Sequence, residues 1–279
     1  MTLHLPRLGL GTSDLGITLG DGDDDPEECV TAVETALDLG YRHVDTAQMY
    51  GNEHLVGKAI ERSDVGRDEV VLATKVHPQN LAYDDVIETT KESLDRLRTD
   101  YVDLLYVHWP IDAYDPDETL PAFDRLREEG YIDHVGVSNF TVETLEVARG
   151  VLDAPIAANQ IQLHPMLPPT EGERAELLPY AAEHDIEVVA WSPLARGEAL
   201  SLAPVRAVAE KHGVSPARVI LAWLSDFDVS VVAKASTRDH LEDNLEAPSL
   251  SLDDEDVERI ESIEERKRLF DREDAPWNQ

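Results

Sequence analysis

Apolar residues along this chain gather into short unbroken runs, separated by longer stretches whose apolar positions recur three and four apart. A first run spans Leu5 to Gly11, and later ones end near residues 45, 75, 108, 137, 162, 191 and 232. Continuous runs of this length suit strands buried on both faces. Helical spacing between them predicts helices at about 26–39, 52–62, 83–98, 118–130, 141–151, 172–185, 203–212 and 237–246. Such alternation calls for a parallel sheet, and eight units favour closure into an α/β fold, a (β/α)8 TIM barrel of eight parallel strands. Two more helical stretches, 215–226 and 253–266, exceed the eightfold count and read as accessory helices outside the barrel. No repeat, linker or shift of composition divides the chain, so residues 1–279 read as one barrel domain.

Chemistry in such barrels sits at the carboxyl ends of the strands. Tyr41-Arg-His-Val44 reads as a short buried strand, Asp45 falls at its end, and Tyr50 follows in the loop before Gly51-Asn52-Glu53 opens a helix. An Asp capping a turn with a Tyr over it is the bland account of that pair. Lys75 and His108 shift the balance. The chain has 24 Lys plus Arg, of which only six are Lys (58, 75, 91, 211, 234 and 267), yet one lies near the end of the strand Val70-Val-Leu-Ala-Thr-Lys-Val76. A buried ammonium is costly unless paired, and Asp45 is the obvious carboxylate to pair with it. His108 ends the next run, just before Trp109-Pro110. Asp45, Tyr50, Lys75 and His108 are therefore the candidate catalytic set, at or just after three successive strand ends.

These four residues belong to a longer pattern. Gly9-Leu-Gly-Thr12, Asp45-Thr-Ala-Gln-Met-Tyr-Gly51, Thr74-Lys75, His108-Trp-Pro110, Gly136-Val-Ser-Asn-Phe140, Asn159-Gln160 and Trp191-Ser-Pro-Leu-Ala-Arg-Gly197 occur in that order. In them the chain resembles, over nearly its whole length, the aldo-keto reductase superfamily. Its compactness and the Trp191–Gly197 segment are similar to the prokaryotic branch that contains the 2,5-diketo-D-gluconate reductases.

The resemblance implies an NAD(P)H-dependent reductase of aldehydes, ketones, keto-sugars or α-dicarbonyls, with NADP(H) preferred and NAD(H) also used. It implies a coenzyme extended across the barrel mouth. Gly11, Thr12 and Asp45 would lie near the nicotinamide ribose. Ser138 and Asn139 at the end of the fifth strand, with Gln160 at the end of the sixth, would hold the carboxamide. Trp191 would face the nicotinamide ring, with Ser192 and Leu194 on the pyrophosphate side. Lys234, Ser236, Thr237 and His240 would surround the adenosine ribose and its 2′ substituent, with Asp243 and Asn244 at the adenine. Tyr50, His108 and Trp109 would meet the substrate, and Trp277 would reach it as the tail folds over the pocket. His164 reads as a structural loop histidine.

Several positions depart from the family pattern. Ser13 stands where many relatives have an aromatic residue, which predicts a roomier or more polar pocket mouth. Ala235 replaces a common Ser and His240 a common Arg, which removes a fixed charge and a bidentate donor from the 2′ site. Arg238 is a candidate substitute whose direction the sequence leaves open. The hairpin that floors the barrel is cut down to Met1–His4, and the Gly-rich fingerprint of doubly wound folds is absent. The loops near 13–25, 110–118 and 269–279, which choose the substrate, have no diagnostic pattern.

Charge narrows the partners. The formal charge is 24 − 58 = −34, a field that repels nucleic acid and anionic membranes. The acidic residues are spread through every predicted helix, so they read as a folded acidic surface. Scarce lysine with abundant Asp and Glu fits a halophilic host, where salt screens self-repulsion. No apolar run approaches the ~18 residues of a membrane span, and the amino terminus lacks an export pattern. The lone Cys29 sits among acidic neighbours in the first helix and reads as structural, in a reducing cytoplasm. A monomer acting on a small carbonyl compound is expected.

Hydride attack on a carbonyl carbon leaves negative charge on its oxygen, which a donor must meet. Tyr50 is the expected proton donor, with Lys75 expected to lower its pKa, Asp45 to fix Lys75, and His108 to orient the carbonyl. Two rival classes draw on similar residues. A metal-dependent barrel hydrolase would carry a His-x-His pair on a strand; none is present, and Lys75 is a poor neighbour for a metal. A nucleotide-binding regulatory subunit without turnover would keep the coenzyme residues but would be expected to add a docking extension.

Overall fold

A computed structural model of the protein describes residues 3–17 and 25–278. Met1, Thr2 and residues 18–24, which belong to the expected floor hairpin and to the first substrate loop, lie outside the described residues. Among the described residues there are eight strands: β1 (Leu8–Gly11), β2 (His43–Asp45), β3 (Val71–Val76), β4 (Val102–Val107), β5 (Ile132–Ser138), β6 (Ile156–Gln162), β7 (Glu187–Trp191) and β8 (Ser230–Ala233). They run parallel and close into a barrel in chain order, with β8 paired back onto β1, Leu8 beside Val231 and Leu10 beside Ala233.

Side chains alternate across a strand, and closure turns one of the two faces inward. The inward face has Ala73 and Lys75 on β3, Leu104 and Tyr106 on β4, Ala158 and Gln160 on β6, and Val189 and Trp191 on β7. Much of the inward layer deep in the barrel is apolar, and Ala73, Leu104, Tyr106, Ala158, Val189 and Val232 pack with Leu3, while the fully buried His43 of β2 is a polar member of it. Gly136 on β5 pairs with Tyr106, and a Cβ there would come within 2.6 Å of the Tyr106 ring, so the missing side chain makes room for the phenol. Outward residues such as Val44, Leu72, Leu105, Val107, Val135 and Val137 join the helices in the main core.

Helices α1 (Pro26–Leu39), α2 (Glu53–Arg62), α3 (Tyr83–Leu97), α4 (Pro116–Glu128), α5 (Val142–Val151) and α6 (Glu173–Glu183) each follow a strand. Observed and expected strand ends agree to about one residue, except that Gln160 lies two residues inside β6 instead of at its end. Helix α4 starts at Pro116, earlier than the expected 118, because Asp115 accepts from the Asp117 amide (3.0 Å) and Pro116 takes the first helical position.

The carboxyl-terminal third holds two corrections. Between β7 and β8 lie α7 (Ala203–His212) and α8 (Pro216–Ser225), followed by α9 (Arg238–Leu245) and α10 (Asp254–Glu261). Spacing suggested α8 as accessory, but α8 packs on β8 and α9, while α7 rests on α8 and α10. The reason is apolar burial. Helix α8 buries Val219, Ile220, Leu221, Trp223 and Leu224, against Val205, Val208 and Ala209 for α7. At about 1.5–3 kcal/mol per large apolar side chain, α8 gains more from the barrel wall. The accessory pair is thus α7 with α10, tied by Asp256, which accepts from Lys211 (2.8 Å) and meets His212 Nε2 at 2.7 Å.

The second correction is that α10 ends at Glu261, not near 266. Residues 264–268 are all charged, so a continued helix would have no apolar face. Instead the Lys267 amide donates to the Met166 carbonyl (3.0 Å), and Arg266 pairs with Glu171, drawing the tail across the loop after β6. Among the described residues no helix is long and apolar enough to cross a membrane.

Candidate active site

The barrel's carboxyl end brings the four candidate catalytic residues together. Asp45 is the last residue of β2, Lys75 the penultimate residue of β3, and His108 follows β4 directly. Tyr50 ends a short 3-10 turn, Gln48–Tyr50, closed by Gly51 at φ +69°, a left-handed conformation that glycine adopts without penalty. Lys75 Nζ donates to Asp45 Oδ1, to the Thr46 carbonyl (2.9 Å) and to the Tyr50 phenol oxygen (3.5 Å), so each ammonium hydrogen has a partner. The second Asp45 oxygen accepts from Gln160 Nε2 at 2.8 Å. Lys75 and Asp45 are 1% and 2% exposed. The Tyr50 and His108 rings meet edge to face, 5.9 Å between centroids.

Burial and charge set the protonation states. Burial opposes the charge on Lys75, but Asp45 and the phenol outweigh it and hold its pKa above the ordinary value. For Tyr50 burial is the largest influence and raises the pKa, with Lys75 pulling the other way. Lys75 does pull the phenol's pKa down, as expected, but burial exceeds that pull and the net shift is upward. Tyr50 keeps its proton at neutral pH. Burial, and then the charges of Lys75 and His77, push His108 well below the usual imidazole range, so its ring is neutral. A protonated phenol and a neutral imidazole together suit a site that must meet charge developing on a carbonyl oxygen.

A cavity of about 960 Å³ opens over these groups. Gly11, Asp45, Ser138, Asn139, Gln160, Trp191, Ser192, Leu194 and Lys234 line it, as do Tyr50, His108 and Trp109. Ser138, Asn139 and Trp191 form a bonded row: Ser138 Oγ donates to the Gln160 carbonyl (2.8 Å), Asn139 Nδ2 donates to Ser138 Oγ (3.0 Å), and Trp191 Nε1 donates to Asn139 Oδ1 (3.0 Å). Asn139 and Ser192 hold left-handed backbones, φ +66° and +50°, and turn the chain at the rim.

Other expected residues stand apart from the cavity lining. Thr12 is fully buried and gives its hydroxyl to the Asp45 carbonyl (3.0 Å). Thr237 caps α9 and His240 is exposed, as Ser236 is in part. Asp243 is held by Ser215 and by Arg218 (3.0 Å), and Asn244 is buried. Trp277 packs on Trp109 (5.6 Å) under the Arg268 guanidinium (3.9 Å), while Phe270 and Arg272 of the same tail line the cavity instead. His164 is buried beside Gln162 (2.8 Å). Sequence reasoning missed Met49, His77, Gln79, Ile111, Asp112 and Arg196 on the wall. His77 and Gln79 follow β3 closely, so the strand-end rule could have found them; Arg196 belongs to the Trp191–Gly197 segment that carries the resemblance.

The sequence pattern of the Aldo/keto reductase family matches residues 7–265. The chain belongs to the aldo/keto reductase family. It is similar to methylglyoxal reductase DkgB of Escherichia coli O157:H7, 40% identical over 270 residues that cover 96% of each chain. An aldo-keto reductase of Mycobacterium sp. (strain KMS) is 38% identical, again over 96% of each. Among solved structures, a protein assigned as a 2,5-diketo-D-gluconic acid reductase B superposes with a TM-score of 0.87 at 33% identity, covering 97% of this chain and 92% of that one. The aldo/keto reductase from Brucella melitensis gives 0.82 at 36% identity, covering 93% and 94%.

An aldo/keto reductase is an oxidoreductase that reduces carbonyl groups with a nicotinamide coenzyme, and the cavity fits such an anionic dinucleotide. Five of the six lysines have a carboxylate within ion-pair distance: Lys58, Lys75, Lys91, Lys211 and Lys267. Lys234 has none among the described residues and lines the cavity. Arg196, also on the wall, lies over the Phe270 ring at 4.9 Å. Lys234 and Arg196, neither with a carboxylate within ion-pair distance among the described residues, are thus cations on the wall of this cavity in a chain of charge −34. Among the described residues no cluster of His, Cys, Asp and Glu could hold a metal.

The buried pair predicts its own mutants. Asp45 offers one oxygen to Lys75 and the other to Gln160, so in asparagine one of these two donors meets an NH2 group instead of an acceptor, and the ammonium is left uncompensated. Asp45→Asn should destabilise the fold by about 3–5 kcal/mol, read as a lower midpoint in thermal unfolding. An unchanged midpoint would mean that the pair carries no stability.

Proposed function

We propose that this aldo/keto reductase reduces small aldehydes and ketones, including α-dicarbonyls and keto-sugars, with Tyr50 as proton donor and NADPH as preferred coenzyme. The observation that carries the reading is the Tyr50 phenol facing the cavity 3.5 Å from Lys75 Nζ, with Lys75 fixed by Asp45. When bound, the coenzyme supplies the hydride. Tyr50 and His108 then bind the carbonyl oxygen from two sides and orient its carbon. As charge grows on that oxygen, the phenol releases its proton to it. Lys75 stabilises the phenolate that remains, and Asp45 keeps the ammonium in place. Ser138, Asn139 and Gln160 are assigned to the carboxamide and Trp191 to the ring face. The relatives named for methylglyoxal and 2,5-diketo-D-gluconic acid support the small dicarbonyl class.

NADPH is favoured because Lys234 lines the cavity and has no carboxylate partner among the described residues. The preference is modest because His240 brings no fixed charge, and Arg238 is engaged by Glu242 at 2.8 Å. The −34 charge we read as adaptation to concentrated salt. The buried Cys29 thiol, pushed up to about 12 by burial and Glu28, suits a reducing cytoplasm. A monomer is the assembly we propose.

Three measurements test these statements. Tyr50→Phe should lower kcat by about 10²–10⁴-fold and leave coenzyme affinity near that of the unmodified protein; reduction of an aldehyde at full rate would remove Tyr50 from the role. For coenzyme choice, the ratio of kcat/KM with NADPH and NADH should collapse in Lys234→Gly and sharpen in His240→Arg. A strong preference of the unmodified protein for NADH would show that Lys234 reads no phosphate. Finally, the thermal midpoint should climb from low to multimolar potassium chloride as screening relieves carboxylate repulsion, and a flat response would end the halophile reading.

A further inference from the structure

The turn that carries Tyr50 has little to hold it. Its internal bonds are two, Tyr50 N to the Ala47 carbonyl (3.0 Å) and Gly51 N to the Gln48 carbonyl (3.2 Å), and no side chain caps its start. Met49 between them is exposed. Downstream, the turn is anchored twice. Asn52 Nδ2 donates to the carbonyls of Thr12 (2.7 Å) and Leu15 (3.0 Å). Buried Glu53 accepts from Thr74 (2.6 Å), Ser93 (3.2 Å) and Arg96 (2.8 Å).

Upstream, the anchor is Gln48, and its amide is fully used. Nε2 donates to the Thr89 carbonyl (3.1 Å) and to Ser93 Oγ (3.2 Å) on α3. Oε1 accepts from the His77 amide (2.9 Å) and from Asn80 Nδ2 (3.1 Å). Two donors and two acceptor sites make four bonds, the capacity of the group. The last two bonds reach the segment that follows β3, where His77, Pro78 and Gln79 line the cavity. Gln48 therefore spans from the base of Tyr50 to the wall the substrate must pass.

We propose that Gln48 is a positioning residue that fixes Tyr50 relative to the His77–Gln79 wall, and so governs both turnover and the size of carbonyl compound accepted. The inference rests on Tyr50 being the proton donor. Its physical basis is the narrow tolerance of the site: the Tyr50–Lys75 contact of 3.5 Å is at the limit of a hydrogen bond, so small drift of the turn parts them. A displacement of about 1 Å from reacting geometry can cost about 10²-fold in rate.

The test uses the full chain with Gln48→Met, which keeps length and removes all four bonds, Asn80→Ala, which removes one wall bond, and Tyr50→Phe in parallel. Methylglyoxal serves as the small substrate and benzaldehyde as the bulky one. Coenzyme affinity is followed by NADPH fluorescence, below the unfolding temperature of each variant. Gln48→Met should lower kcat by about 10–100-fold, leave NADPH affinity within about twofold, and shift the kcat/KM ratio toward benzaldehyde as the wall loosens. Asn80→Ala should move that ratio the same way by less, and it decides the matter if Gln48→Met does not fold. A lower midpoint with kcat and substrate ratio unchanged would reduce Gln48 to a structural residue and overturn the proposal. If Tyr50→Phe still turns over at full rate, the proton-donor reading falls. Loss of turnover in Tyr50→Phe, with Gln48→Met and Asn80→Ala unaffected, sinks the positioning role alone.

Discussion

A full positive charge inside a closed barrel is the constraint on which the rest of the site depends. Lys75 can stay charged there only because Asp45, the Thr46 carbonyl and the Tyr50 phenol take its three hydrogens. That demand fixes the strands. Asp45 pairs across β2 and β3 with Ala73, and Lys75 pairs across β3 and β4 with Tyr106. A slip of one residue on β3 would turn Lys75 into the apolar layer under the helices and leave Asp45 alone inside. The pair is a poor way to stabilise a fold, since well-packed apolar residues of similar size often do as well or better. What it supplies is a cation beside a phenol that burial keeps protonated.

Much of this arrangement was legible in the chain because buried parallel strands read as unbroken apolar runs, and charged residues at their ends stand out. Asp45, Lys75 and His108 were visible for that reason. The features that were not legible depend on sums over neighbours distant in sequence. Helices α7 and α8 both show helical spacing, and only the amount each buries against β8 or α10 decides which forms the barrel wall. The direction of the Tyr50 pKa is the outcome of burial, joined by the charges of Asp45 and Asp14, against one ammonium, influences of opposite sign whose balance needs coordinates. In the tail, Phe270 and Trp277 are both aromatic; Phe270 lines the cavity while Trp277 lies against Trp109, a difference set by where the backbone turns after the Lys267 bond to Met166. Arg238 was open in direction until its pairing with Glu242, one turn along α9, was seen.

The acidic surface and the proposed coenzyme site pose one electrostatic problem. A chain of charge −34 repels an anionic dinucleotide at long range, while Lys234 and Arg196 on the cavity wall would attract it at contact. Salt separates the two effects by distance. At 1 M ionic strength the screening length is about 3 Å, so repulsion between surface carboxylates many ångströms apart is nearly gone. A contact pair of phosphate and ammonium loses less, because little solvent or salt fits between the charges. The Lys75–Asp45 pair, sealed inside the barrel at 1% and 2% exposure, loses least of all. Concentrated salt would thus remove the interactions that oppose folding and coenzyme entry and leave those on which the proposed chemistry depends. The scarcity of lysine follows the same logic: with most surface cations absent or already paired, the lysine left without a carboxylate partner among the described residues is the one that lines the cavity.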